Sequence, residues 1–339
     1  MGTDRSTEAS DPNGERVDKP PSRLFRWLLA AIGPAILALI LWSIDLGELG
    51  RVLSDASAEF WLLAYGATIP AIALRALRLW LVLGPDVDRP RFVDVLHVYA
   101  YSLFVGTVTP GRVGEFIKVI HLRRWGASPG SALASVLLER FPDITFLLTV
   151  GAVSVALFAF PQLGGAAAPI LVVGAPLAAM GLFWLLLGPG TEALLRLLSM
   201  VMPKRLAAKI RATHDGFVTA TKAVRRRTVA LVMLLTLAAW AMNYFSNYLF
   251  ARSLGLPLDY FEVAAISASC TLVALLPISI MGAGTRDAAL IVMLGYYHVS
   301  QPRAVALSLL FLSLILCNAL LCAYSLATPA ARLTRRAQT

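Results

Sequence analysis

The chain has 339 residues, of which 58% are hydrophobic and only 15% charged, and its mean hydropathy is +0.72. Soluble domains are nearer half apolar and a quarter charged, so an ordinary water-soluble protein is excluded. The formal charge of +10 would suit nucleic acid, but the basic residues fall mostly in short loops and tails between apolar segments, where membrane orientation and anionic-lipid contact explain them better.

Residues 1–22 are polar and contain Pro12, Gly14, Pro20 and Pro21, which predicts a disordered tail. A transmembrane domain follows over residues 23–328. Its first span covers residues 24–44, with Trp27 and Trp42 near the ends as interface anchors. The second covers residues 60–83 and carries Arg75 and Arg78. Two shorter apolar pieces, residues 93–108 and 111–122, are split at Thr109-Pro110-Gly111-Arg112-Val113-Gly114-Glu115. Proline removes a backbone donor and glycine frees the backbone, so a helix must stop and restart here. Inside a bilayer such a break is tolerated only within protein or beside a water-filled cavity. Each piece is shorter than a bilayer core, and Arg89 and Arg91 precede the pair while Arg123 and Arg124 follow it. The expectation is a re-entrant hairpin.

The third span, residues 130–160, carries Glu139, Arg140 and Asp143, and the fourth covers residues 169–187. The uncharged loop 161–168 lies between them. A basic connector occupies residues 188–227, and Leu206, Ile210, Phe217 and Val224 approximate an apolar stripe for a surface helix. The fifth span is residues 228–254. A second broken segment, 261–297, is interrupted at Pro277 and at Gly282-Ala283-Gly284. The last span, 304–326, leads to a basic tail, 329–339. The positive-inside rule puts both termini and the connector in the cytoplasm. The fold class is an all-α polytopic membrane protein with about six full spans and two re-entrant broken-helix hairpins.

The two broken segments resemble each other. Phe92-Val93-Asp94-Val95 matches Tyr260-Phe261-Glu262-Val263, and Gly114-Glu115 lies near the position of Arg286-Asp287. The stretch beginning Ser128-Pro129 matches the one beginning Ser300-Gln301-Pro302. Three spans separate the copies, so they are expected to be inverted, a transporter architecture.

Charges inside a bilayer are expensive and usually functional. Arg75, Arg78, Arg112, Lys118, Arg140 and Arg286 are set against Glu115, Glu139, Asp143 and Asp287, which leaves two positive charges in surplus. A phosphate group could fill that surplus, because the arginine fork matches phosphate oxygens. The helix restarting at Gly111 would add free N–H groups. Pairing among these ions is the competing reading for Arg140 with Asp143 and for Arg112 with Glu115, each three residues apart. Arg75 and Arg78 have no acid on their own helix, which favours a substrate role. Lys118 and His121 read mainly as snorkelling residues at the interface. Asn243 and Asn247 read as helix–helix hydrogen bonds before path residues. The second repeat lacks counterparts of Glu139 and Asp143, so the site is expected to belong mainly to the first half. The cysteines Cys270, Cys317 and Cys322 and the four histidines form no metal-ligand pattern, and no cofactor is implied.

At the Thr109–Glu115 motif with Lys118, at Glu139-Arg140 with Asp143, and at Pro277 through Gly282 and Gly284 to Arg286-Asp287, the chain resembles the transmembrane flippase-like domain of the lysylphosphatidylglycerol synthase family. That resemblance implies movement of an anionic phospholipid or a polyprenyl-phosphate glycolipid between leaflets of a bacterial-type inner membrane. The synthase half is expected to be absent, so aminoacyl transfer is not expected, and neither is an enzyme. An integral-membrane enzyme acting on lipid-linked phosphate, with Glu139 or Asp143 as base, is one alternative. A scaffold for a separate synthase is another.

Overall fold

The structure is a computed structural model that describes residues 45–88, 90–107, 109–163, 204–275 and 284–327, with a few isolated helical positions beyond them. The expected first and fourth spans, both tails, Pro277 and Gly282 lie outside the described residues. Among the described residues every element is helical.

Helix α1 is Leu46–Ser54, started by Asp45, whose Oδ1 accepts the N–H groups of Gly47 at 2.7 Å and Glu48 at 3.2 Å. Helix α2, Ala58–Leu81, carries Pro70 internally. Helix α3, Phe92–Thr107, ends at the expected break. Thr109 is extended (φ −110°, ψ 137°), as a residue before proline prefers. The chain then restarts as a 3₁₀ segment, Pro110–Phe116, and only afterwards as α4, Ile117–Arg124. The sequence led us to expect an α-helix from Gly111. Within the segment Arg112 takes a left-handed backbone (φ 57°), which interrupts regular helix of either kind and delays the α-helix to Ile117. Gly114 is required for close approach: a Cβ there would sit 2.6 Å from both the Thr109 hydroxyl and the Val105 carbonyl oxygen.

Helix α5, Pro129–Leu163, is followed by α6, Lys204–Ala223, and α7, Arg226–Ser253. Then come α8, Tyr260–Leu275, α9, Thr285–Tyr296, and α10, Gln301–Ala327. Gly284 precedes α9 with φ 82°, a left-handed start that suits glycine. Helices α2, α7 and α10 are long and apolar enough to cross a membrane. The apolar side of α6 packs on α5, where Phe217 and Ala220 bury against Ala134.

The repeat is visible in the packing. Helix α3 and helix α8 have 16 residues each, and each is followed by a shorter helix and then a long one. Helices α2 and α7, which open the two copies, form the main contact of the fold. They run antiparallel: Ala64 meets Ser246 at one end, while Arg78 meets Thr236 at the other. Across that pair the copies exchange partners, α3 packing on α10 and α8 on α5. Antiparallel counterparts with reciprocal exchange are the signature of an inverted repeat.

The two halves are held differently. The second half has the large apolar core, with Leu249, Phe250, Ile266, Leu290, Leu307 and Phe311 buried together and Leu49 of α1 added. In the first half a polar staple ties the α2–α3 loop to the start of α5. Asp86 accepts the Ser128 N–H at 2.7 Å and the Ser131 hydroxyl, and the Gly84 N–H donates to Ser135 at 3.1 Å.

Candidate functional site

The intramembrane charges separate into two groups. The first is a closed ion network between α2, the 3₁₀ segment, α4 and α5. Arg78 is fully buried, and its terminal nitrogens donate to Glu139 at 2.7 Å, Asp143 at 2.8 Å and the Thr236 hydroxyl at 2.7 Å. Lys118, also fully buried, donates to Glu139 at 2.7 Å, lies 3.9 Å from Glu115 and sits over the Tyr99 ring at 4.7 Å. Arg140 pairs with Glu115 and reaches Glu139 at 3.4 Å and Asp143 at 3.9 Å. Arg112 pairs with Glu115 at 3.0 Å, yet its side chain is 45% exposed. Burying an ion is costly unless it is paired and hydrogen-bonded, and here each acid has at least two cations.

This network corrects two expectations. Lys118 does not snorkel; it points inward and helps join α4 to α5. The acid on Arg78's own helix, Glu59, lies in the first turn and out of reach, but α5 supplies two, and neither of Arg78's terminal nitrogens is left for a ligand.

The second group faces a cavity of about 200 Å³ between the two halves. Arg75 of α2, Arg112 of the 3₁₀ segment and Arg286 of α9 line it, together with Trp240 and Asn243 of α7. Arg286 is bonded to Asp287 at 3.0 Å, and Asp287 also accepts the Gly284 N–H at 2.8 Å, so this acid is spent on the start of α9. Arg75 has no carboxylate partner among the described residues. Its guanidinium rests on the Trp240 ring, 5.3 Å from the centroid, and its Nε is buried without a hydrogen bond. At its edge the same indole donates to Asp143 at 2.9 Å. One ring thus carries the arginine on its face and holds the acid by its N–H.

The sequence surplus of two cations now has places. The network holds four cations on three acids, Arg286 and Asp287 balance, and Arg75 stands alone. The most exposed cation of the network, Arg112, shares the cavity with Arg75. The 3₁₀ restart adds less than expected. Pro110 has no N–H, and the N–H groups of Arg112 and Gly114 are already bonded to the Thr109 carbonyl and hydroxyl at 3.1 and 2.9 Å.

Nor is the cavity confined to the first half. Asn247, Ser267, Thr271, Arg286 and Asn318 line it from α7, α8, α9 and α10. Asn247 does make the expected interhelical bond, to Ser267 at 3.1 Å, and lines the cavity as well. Sequence reading missed Trp240, Thr236, Tyr99 and Asn318. The available signal was Trp240 itself, which sits in mid-span between alanines and not at an interface.

A family model for the lysylphosphatidylglycerol synthase TM region matches residues 29–321. The chain belongs to this family. It is a membrane-embedded protein of a family associated with lipid handling. No curated protein matches the sequence. The arginine resting on an indole is the feature of the site most open to test. Trp240→Leu removes the shelf under Arg75 and lets it turn toward Asp143. Trp240→Phe keeps the shelf and loses only the hydrogen bond. We expect Trp240→Leu to lower the melting temperature and Trp240→Phe to lower it much less, measured by thermal unfolding of the detergent-solubilised protein.

Proposed function

We propose that the protein is a translocase that moves an anionic lipid, a phospholipid or a polyprenyl-phosphate glycolipid, between the leaflets of a bacterial-type inner membrane. The observation that carries this reading is the cavity between the inverted halves, lined by three arginines and by no acid among the described residues. The phosphate group is held by Arg75, Arg112 and Arg286, presented from three separate elements. The acyl or prenyl tails stay in the bilayer. Guanidinium forks give phosphate strong, charge-assisted hydrogen bonds. The break at Pro110–Gly114 forms a re-entrant hairpin that acts as a hinge, and both termini face the cytoplasm. Glu115, Glu139, Arg140, Asp143, Lys118 and Asp287 support the arginines. The protein binds lipid without altering it.

Purified protein in liposomes carrying tail-labelled phosphatidylglycerol tests this directly, with leaflet exchange followed by a quencher and the lipid recovered for mass analysis. Exchange of chemically unchanged lipid, lost in Arg75→Gln, is the expected result. Absence of exchange, or a covalently altered lipid, would overturn it.

A further inference from the structure

Helix α2 belongs to both halves of the fold, and Pro70 marks the division. Before Pro70, Ala64 is buried in the large apolar core of the second half, and Tyr65 packs on Phe250 with ring centroids 5.4 Å apart. The Tyr65 hydroxyl also meets Ser313 of α10 at 2.6 Å, and the Ser57 N–H donates to the Ser253 carbonyl at 2.9 Å. After Pro70, Ala76 and Leu79 are buried with Val95 and Tyr99 of α3, and Arg78 is tied into the ion network. The two apolar clusters share no residue among those described.

Helix α7 divides at the same level. Thr236 and Trp240 are bonded to Arg78 and Asp143 of the first half, whereas Leu249, Phe250 and Ala251 lie in the core of the second. The antiparallel register set by Arg78 with Thr236 and by Ala64 with Ser246 puts Pro70 level with Asn243. The cavity lies at this level, lined by Thr68, Ala71 and Arg75 of α2 and by Asn243 of α7. Of the two helices that cross the division, α2 carries the proline. Pro70 has no N–H to give the Gly66 carbonyl, and its ring crowds that carbonyl, so the helix lacks a rung of its ladder there. Gly66 weakens the same turn, yet a Cβ at this position would meet nothing within 4 Å, so packing does not require the glycine.

We propose that Pro70 is the hinge on which the two halves rock, opening and closing the cavity between them. What the motion accomplishes rests on the translocase reading; the motion itself is a property of the fold. The two ends of α2 are clamped in different bodies, so any rotation of one body against the other bends α2. A helix bends most easily where a backbone hydrogen bond is already missing. With an unbroken ladder in α2, the bodies would be held at one angle and the cavity at one shape.

Three variants provide the test. Pro70→Ala restores the ladder, and Gly66→Ala stiffens the same turn. Gly50→Ala, whose Cβ also has open space, adds equal stiffness to α1, away from the division. Each is made with Cys270, Cys317 and Cys322 replaced by alanine, and with spin labels at Arg51→Cys of α1 and Arg123→Cys of α4, exposed positions on opposite bodies. Label-to-label distances in liposomes and leaflet exchange of tail-labelled phosphatidylglycerol are read on the same preparations. The unaltered hinge is expected to give two distances. Pro70→Ala is expected to give one, with exchange at least about fivefold slower and a melting temperature no lower. Gly66→Ala moves both readouts the same way by less, and decides alone if Pro70→Ala does not fold; Gly50→Ala moves neither. One distance with Pro70 in place, or an equally broad distribution in Pro70→Ala, would overturn the hinge whatever exchange does. Narrowed distances with unchanged exchange would overturn its part in transport. Two distances that collapse in Pro70→Ala, with no exchange in any variant, would uphold the hinge and remove the translocase reading.

Discussion

Arg78→Gln is expected to destabilise the protein severely, by about 3–5 kcal/mol if one partner of a buried ion pair is removed. Arg78 is fully buried and bridges Glu139 and Asp143 on α5 to Thr236 on α7. Glutamine is shorter and uncharged, so both acids lose their shared counter-ion. Glu139 keeps Lys118 at 2.7 Å, whereas Asp143 keeps only Arg140 at 3.9 Å and the Trp240 indole. Asp143 therefore bears most of the loss. Arg75→Gln, one turn earlier on the same helix, removes a cation–π contact worth about 1–2 kcal/mol in this partly desolvated place. Thermal unfolding in detergent separates the two. A large drop for Arg78→Gln beside a small one for Arg75→Gln is the expected pair of results. Equal drops would contradict the division into a structural network and a free cavity arginine.

Arg112→Gln is expected to leave stability within about 1 kcal/mol of wild type, because the pair is partly exposed. Glu115 also keeps Arg140 and Lys118. Lipid exchange should still fall at least about tenfold, since the proposed phosphate site loses a charge-assisted contact. The double variant Arg112→Gln with Glu115→Gln decides what the charge is for. A purely structural pair would regain exchange once both charges are gone. A phosphate ligand would not. Exchange measured in proteoliposomes should therefore remain low in the double variant, and wild-type exchange would remove Arg112 from the ligand set.

Much of the fold could be read from the sequence. The break at Thr109–Gly114 is visible because Pro-Gly within an apolar run has few physical meanings, and α3, α5, α7 and α10 fall near the expected spans. The inverted repeat was readable from two short matches and their separation. The site was legible in composition and not in pairing. Spacing shows partners three or four residues apart, so Arg112 with Glu115 could be seen. The partners of Arg78 lie 61 and 65 residues away, and no local period reports them. The same limit led to the misreading of Lys118, which looks like an interface lysine from its neighbours Arg123 and Arg124 and proves buried only once α5 is in place. The backbone of Arg112 was also hidden, because a left-handed arginine has no sequence signature.

The ion network also sets a problem of timing during synthesis. Arg75 and Arg78 enter the membrane with α2, but the acids that hold Arg78 belong to α5, which follows 61 residues later. At about 5–20 residues per second, α2 waits roughly 3–12 s before its counter-charges exist. Arg78 stands in the last turn of α2 and Arg75 one turn earlier, toward one end of an otherwise apolar helix. An arginine at a helix centre costs about 2.5–3.5 kcal/mol on insertion scales and less toward an end, so α2 is expected to sit with Arg78 nearer the membrane surface until Glu139 and Asp143 arrive. A chain truncated before α5 should therefore show Arg78 more accessible to water-soluble labels than the full protein does.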